Sequence, residues 1–188
     1  MDAAIKRVTQ IDAAGAGATV VLLQAEAAPS RIAPILAGQF RVLRYRVAAG
    51  DAAHTGPTSS ELAAALASQA SEPVGVVADA ATAEVALALI AARPELVRAL
   101  ALIAPQIPKS ALAEMKTPML ALFGTLVMPP QIGRHMRQAI PNCHVMLVYD
   151  ADHDMTNQRP EAVAAALRDF MLAGDRFLVT GKSGKLYP

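Results

Sequence analysis

Four polar residues in two short stretches are the best candidates for chemistry in this sequence. Asp79 ends the apolar run 74–78 and precedes an alanine-rich segment, a pattern that predicts a strand, a sharp turn and a helix. Asp152, His153 and Asp154 form a polar loop after a later apolar run. Catalytic and binding groups of an open α/β sheet gather at the carboxyl ends of its strands. We therefore expect both stretches at one edge, where Asp79 can pair with His153.

The same residues invite two simpler interpretations. An imidazole with carboxylates suits several divalent ions, but the spacing of Asp79, Asp152, His153 and Asp154 matches no known ligand pattern. Acidic residues at strand ends commonly serve solubility, and a histidine in a polar loop commonly bonds within that loop. We predict no metal site and no cofactor.

Composition limits the class of protein. The chain has 188 residues, of which 54% are hydrophobic and 18% charged, enough for one domain with an aliphatic core. The net charge of +1 comes from scattered residues, which argues against nucleic acid or an anionic membrane as partner. Cys143 is the only cysteine, no signal peptide is evident, and no apolar run spans a bilayer. These features predict a cytoplasmic protein.

Apolar runs alternate with helical segments along most of the chain. This order predicts an α/β fold, a mostly parallel, doubly wound sheet with helices on both faces, in a single domain. The predicted strands are 5–12, 19–23, 40–47, 74–78, 97–103, 119–124 and 143–149. The predicted helices are 31–39, 61–70, 81–92, 131–139 and 161–172, with 48–57 as a surface loop. The tail 175–188 is predicted to form a short hairpin or arm.

Several stretches, in their order, resemble the α/β-hydrolase superfamily. Residues 73–105 resemble its nucleophile-elbow segment, and 117–124 with 140–142 resemble the strand and helix that follow the cap. Residues 151–153, 159–163 and 169–170 resemble the catalytic-histidine loop and the final helix. The resemblance covers about residues 18–174 and implies a minimal α/β-hydrolase fold without a cap, since only a short segment follows Pro105.

The resemblance also implies that catalytic groups are missing. The family's elbow reads Gly-x-Ser-x-Gly, whereas 78–82 reads Ala-Asp-Ala-Ala-Thr, so Ala80 holds the nucleophile's position. The acid's position falls at 125–127, Thr-Leu-Val, and the alternative location at 105–106 is Pro-Gln. The oxyanion turn corresponds to 24–26, Gln-Ala-Glu, and only His153 stands where the family places its residue. Without a serine to hold, we expect the turn at Ala80 to be free of backbone strain.

Two functions follow as hypotheses. The first is a non-catalytic α/β-hydrolase-fold protein that binds a small apolar molecule or a protein partner. The alternative is an atypical, esterase-like hydrolase that uses an Asp79/His153 dyad; a one-residue shift in register would instead make Asp79 the nucleophile. The predicted ligand-binding residues are Gln24, Ala25, Asp79, Ala80, Ala81, Met128 and His153. Apolar surface left by the missing cap, and a tail that can add an edge strand, predict a homodimer.

Overall fold

A seven-stranded sheet forms the centre of the part of the chain that the structure, a computed structural model, describes. Residues 7–48, 52–106, 115–127 and 143–176 are described, without the side chains of 52–54 and 175. The strands are β1 Val8–Ala14, β2 Thr19–Gln24, β3 Arg41–Val47, β4 Val74–Asp79, β5 Val97–Ile103, β6 Met119–Gly124 and β7 Cys143–Val148. The helices are α1 Ala33–Leu36, α2 Ala52–Gln69, α3 Ala83–Ala92, α4 Met155–Gln158 and α5 Pro160–Ala173.

The sheet is parallel except at one edge. Its strand order is β1-β3-β2-β4-β5-β6-β7, and only β1 runs antiparallel to its neighbour, β3. In the centre, Val77 of β4 lies between Leu22 of β2 and Ala101 of β5. This strand order confirms the predicted mostly parallel α/β sheet. Its central strands are continuous apolar runs because parallel strands are buried on both faces.

Each face of the sheet carries its own core. One core packs β-strand side chains such as Val76 and Leu100 under α2 and α3, through Leu62 and Leu89 among others. The opposite core packs Val77 and its neighbours under α1 and α5. Helix α3 buries six of its ten residues and is therefore covered on more than one side. The two cores hold the carboxyl ends of the strands in fixed positions.

The chain changes direction across the sheet between β2 and β4. From β2 it returns on one side as β3, and from β3 it crosses to the other side of β2 as β4. Such a reversal leaves a crevice at the carboxyl ends of the two strands, which is where open α/β sheets bind ligands. Gln24 ends β2 and Asp79 ends β4, so the topology brings these two predicted site residues to one crevice.

Helix α2 corrects the predicted surface loop at 48–57. The helix begins at Ala52 and continues through Pro57, although a proline usually ends a helix. Gly56 has no Cβ, so the clash that keeps a residue before proline out of the helical region is reduced. Ser60, predicted to precede the helix, donates its hydroxyl to the carbonyl of Gly56 at 3.0 Å.

The other differences between the predicted and the observed elements are confined to single segments. Helix α1 is shorter than the predicted 31–39, although the Ser30 hydroxyl still accepts the Ala33 N–H at 3.2 Å. Helix α4 falls in a segment without a predicted element. Met128, the predicted helix 131–139 and the tail from 177 onward lie outside the described residues. None of the described helices is long and apolar enough to cross a bilayer.

Candidate functional site

The turn after β4 is closed by a reciprocal pair of side chains. The Thr82 N–H donates to the Asp79 carbonyl at 3.2 Å and to Asp79 Oδ1 at 2.9 Å. The Asp79 N–H donates to Thr82 Oγ1 at 3.1 Å, and the Thr82 hydroxyl donates back to Asp79 Oδ1 at 2.8 Å. Two residues three apart thus satisfy each other's backbone donors, as in a helix capping box. The carboxylate of Asp79 therefore stabilises the turn that leads into α3.

The predicted relaxation of this turn is confirmed. Among the described non-glycine residues, positive φ angles occur at Ala104 and Asp150 and not at Ala80. Helix α3 begins only at Ala83, with Thr82 as its N-cap residue in an ordinary helical conformation. At Ala80, where the resemblance places the family's nucleophile, the chain makes a hydrogen-bonded turn without a positive φ angle.

His153 lies on the surface in a loop that is bonded within itself. Asp152 Oδ1 accepts the Asp154 N–H at 2.7 Å, and the Asp152 N–H donates to Gln158 Oε1 at 2.9 Å. Asp154 Oδ1 in turn accepts the side-chain N–H of Asn157 at 2.7 Å. The Asp154 N–H, then the Gln158 side chain, hold the pKa of Asp152 below its ordinary value. The carboxylates beside His153 therefore orient their own loop.

The structure does not join the two members of the predicted dyad. Within the described residues, the side-chain hydrogen bonds of Asp79 go to Thr82, and none connects it with His153. His153 is exposed, whereas Asp79 is half-buried. A dyad would need His153 within about 3 Å of the group it serves, directly or through one water. Joint action of these residues stays a prediction.

Thr125, where the resemblance places the triad acid, connects two loops. Its hydroxyl accepts the Asp150 N–H at 3.0 Å, and its own N–H donates to the Val148 carbonyl at 3.0 Å. Gly124 precedes it, and a Cβ there would lie 2.6 Å from the Asp152 carbonyl oxygen and closer still to that of Ala151. The two loops approach so closely that only glycine fits, and this contact fixes the start of the histidine loop.

A cavity of about 130 Å³ opens beside Asp79, at the carboxyl ends of β2, β4 and β5. We call it the edge cavity. Aliphatic side chains form its floor, among them Leu22, Val77 and Ile103. Polar groups from two other segments form its mouth: Ser30, Arg31, Thr156 and Asn157. Arg31 Nη1 donates to the Asn157 carbonyl at 2.7 Å and so joins the two sides of the mouth.

The predicted ligand-binding residues divide into two groups. Gln24 and Asp79 line the edge cavity. Ala80 and Ala81 are exposed in the turn, Ala25 is half-buried, and these three alanines and His153 are not among the lining residues. Sequence reasoning did not identify Ser30, Arg31, Thr156 and Asn157. The reversal of chain direction between β2 and β4 could have indicated these residues, because a loop that follows β2 must pass over the crevice there.

Arg44 is a further residue near the edge cavity that the sequence did not reveal. It is buried in β3, where its Nε and Nη2 donate to Gln24 Oε1 at 3.1 and 2.9 Å. Its Nη1 donates to Asp12 Oδ2 at 2.7 Å, and its Nη2 also reaches the Ala28 carbonyl. The planar guanidinium thus ties β2, β1 and the loop over the edge cavity together. Arg44 positions Gln24 and Ala28, both of which line the cavity.

No cluster of three or more His, Cys, Asp or Glu side chains that could hold a metal ion is present in the described ranges. The polar groups of the edge cavity are a guanidinium, hydroxyls, amides and one carboxylate. This set favours an organic molecule with a hydrogen-bonding group over a bare cation.

Comparison with known proteins identifies the fold. No protein-family model matches the chain, and no curated protein matches it significantly in sequence. An α/β-hydrolase enzyme from a sediment metagenome of the Mar Chica lagoon, Morocco, is 15% identical, with a TM-score of 0.74 over 87% of this chain and 94% of its own. A hydrolase from Oleispira antarctica is 14% identical, with a TM-score of 0.73 over 89% and 96%.

A third solved structure, a serine hydrolase involved in carbazole degradation, is 14% identical, with a TM-score of 0.71 over 85% of this chain and 93% of its own. At these identities the likeness is one of fold. Together with the strand order, it establishes that the described chain has the α/β-hydrolase fold.

Proposed function

We propose that this chain is a non-catalytic protein of α/β-hydrolase fold that binds a small molecule in the edge cavity. The observation that carries the proposal is at the elbow. Ala80 has no group that can attack a carbonyl, and the neighbouring Asp79 carboxylate accepts two hydrogen bonds from Thr82. The residue in the acid's position, Thr125, accepts a backbone N–H from the histidine loop. The groups left at the edge stabilise loops.

The cavity supports a small ligand of mixed character. A cavity of about 150 Å³ in another protein admits benzene, so about 130 Å³ suits a molecule of roughly six non-hydrogen atoms. The floor is aliphatic and favours an apolar body. The mouth carries hydroxyl, amide and guanidinium donors, which favour a single polar group at one end. The cavity therefore favours a short amphipathic ligand over the wholly apolar one expected from the sequence.

Thermal unfolding in the presence of butan-1-ol, butanoate and butanamide tests the proposal. We expect a saturable rise in the midpoint with at least one of them, because a ligand that binds only the folded state stabilises it by mass action. The change Thr156→Phe narrows the mouth and should abolish the rise. Thr9→Phe, the same replacement on β1 away from the cavity, should leave it intact. No saturable rise with any probe, or an equal rise in Thr156→Phe, would refute the proposal.

A second candidate is the atypical hydrolase with Asp79 and His153 as its working pair. Two of the three solved structures named above are called hydrolases in general terms and the third a serine hydrolase, which favours hydrolytic chemistry by analogy of fold. The candidate requires the Asp79 carboxylate to leave Thr82 and His153 to turn toward it. Ester turnover that depends on both residues would support it.

A further inference from the structure

Two opposite charges line the edge cavity without neutralising each other. The Asp79 carboxylate is half-buried beside the floor, and the exposed Arg31 guanidinium lies at the mouth. Within the part of the chain that the structure describes, neither group forms an ion pair, with the other or with a third residue. The edge cavity therefore presents a negative and a positive group to the same small space.

Both charged groups keep atoms that can bind a ligand. The N–H and the hydroxyl of Thr82 both donate to Asp79 Oδ1, and Oδ2 accepts no hydrogen bond from a described residue. Arg31 donates from Nη1 to the Asn157 carbonyl, and its Nε and Nη2 have no acceptor among the described residues. A carboxylate accepts at both oxygens, and a guanidinium has five N–H donors. Each group can thus hold a ligand and keep its internal bond.

We infer that the edge cavity binds an α-amino acid with a short aliphatic side chain, an inference that rests on the proposed function. The ligand's ammonium group donates to Asp79 Oδ2, and its carboxylate accepts from Arg31 in charge-assisted hydrogen bonds. A simple acid would bring a like charge close to Asp79, and a simple amine would bring one close to Arg31. A molecule that carries both charges meets an opposite charge on each side.

The size and the floor of the cavity select the side chain of this ligand. Leu22, Val77 and Ile103, which line the floor, are all buried and present only aliphatic surface. A cavity of about 130 Å³ suits alanine or 2-aminobutanoate and is too small for an aromatic amino acid. Both charges of such a ligand sit on its α-carbon, so it keeps one polar end and one apolar end.

Thermal unfolding with the two enantiomers of 2-aminobutanoate, beside butanoate and butan-1-amine, tests the inference. We expect one enantiomer to raise the midpoint saturably, with half-saturation at a concentration about tenfold lower than for either singly charged probe. The other enantiomer should bind more weakly, because contacts to Asp79, Arg31 and the floor fix the handedness of the α-carbon. Two enantiomers alter the solvent equally, so a difference between them reports contact with the protein.

Charge variants should exchange the preferred probe. Asp79→Asn keeps an oxygen for Thr82 but loses the charge that holds the ammonium group, so this variant should prefer butanoate to 2-aminobutanoate. Arg31→Gln loses the partner of the carboxylate and should prefer butan-1-amine. Arg168→Gln on α5, at a residue outside the edge cavity, is the control and should keep the native order of preference. A merely structural role of Asp79 or Arg31 would weaken all probes alike.

The outcomes separate this inference from the proposed function. Equal responses to the two enantiomers, or a native preference for butanoate or butan-1-amine, would overturn the amino-acid ligand. An unchanged order of preference in both charge variants would overturn it as well. The proposed function would still stand in these cases if an uncharged or singly charged four-carbon probe gave a saturable rise that Thr156→Phe abolishes. No saturable rise with any probe would refute both.

Discussion

Asp79 Oδ1 accepts both the backbone N–H and the hydroxyl of Thr82, at 2.9 and 2.8 Å. In the same turn, Thr82 Oγ1 accepts the Asp79 N–H at 3.1 Å. The two residues occupy the positions beside Ala80 and two residues after it, in the segment that resembles a nucleophile elbow. Where the resemblance places that family's strained serine, this chain has a turn in which the N–H groups of Asp79 and Thr82 are both hydrogen-bonded. Helix α3 begins directly after this turn, at Ala83.

Substitutions of Asp79 should separate its structural role from a chemical one. Asp79→Asn keeps an oxygen that can accept from Thr82, so we expect the free energy of unfolding to change by only a few tenths of a kcal/mol. Asp79→Ala removes the acceptor and should cost about 0.5–2 kcal/mol, as loss of a helix cap does. Urea unfolding of the two variants gives the comparison. Equal stability of the two would show that the pair with Thr82 does not hold the turn.

Gly124 should tolerate no side chain. A Cβ at this position meets the backbone carbonyls of Ala151 and Asp152, which cannot move without displacing the histidine loop. We expect Gly124→Ala to lower the free energy of unfolding by about 1–3 kcal/mol, in the range of overpacked sites. Gly38→Ala is the control, because its Cβ would make an ordinary contact at 3.4 Å with the Ile35 carbonyl. The account of the loop contact fails if both variants unfold alike.

Cys143 should make stability depend on alkaline pH. Burial raises the pKa of its thiol from 9.0 to about 11, so the folded state holds the proton more tightly than the unfolded state. Stability from the neutral thiol is complete below pH 9 and is lost as the pH rises toward 11. Compared with Cys143→Ala, the native chain should lose about 2–3 kcal/mol across that range. A constant difference between the two proteins in urea unfolding would contradict burial of the thiol.

Arg44 should link stability to ligand binding. Arg44→Lys keeps the charge and loses the fork that reaches Gln24, Asp12 and Ala28, so we expect a cost of about 1–3 kcal/mol. The loop over the edge cavity should loosen, which would weaken the response to the four-carbon probes. Arg46→Lys on the same strand is the control, since among the described residues its side chain makes one long contact, 3.5 Å to Thr9, and it should stay within about 0.5 kcal/mol. Similar losses in both variants would argue against a special role for Arg44.

The strands could be predicted because burial on both faces leaves a direct trace in the sequence. Strand β5 and strand β6 match their predicted bounds, since each is a continuous apolar run. Only the second half of helix α2 was predicted, because Gly56 and Pro57 argue for a turn in the first half while packing of Leu62 and Leu66 stabilises the helix. Tertiary burial outweighed the local preference there.

The candidate site was only partly visible in the sequence. Asp79 and Thr82 are three residues apart and both have side-chain oxygens that can accept a local backbone N–H, so their pairing could have been proposed from the sequence. Arg44 could not have been placed, because its partners Ala28 and Asp12 lie 16 and 32 residues away along the chain. The mouth of the edge cavity joins Arg31 to Asn157, 126 residues apart, and only the folded sheet brings them together.

The most direct test of the central claim is hydrolysis of short-chain p-nitrophenyl esters by the native chain, measured beside His153→Ala and Asp79→Asn. The proposed non-catalytic role places Ala80 where the family holds its nucleophile, and the Asp79 carboxylate is bonded to Thr82. We predict a rate equal to that of buffer with any of the three proteins. Clear turnover by the native chain that is lost in His153→Ala would contradict the account and establish the dyad.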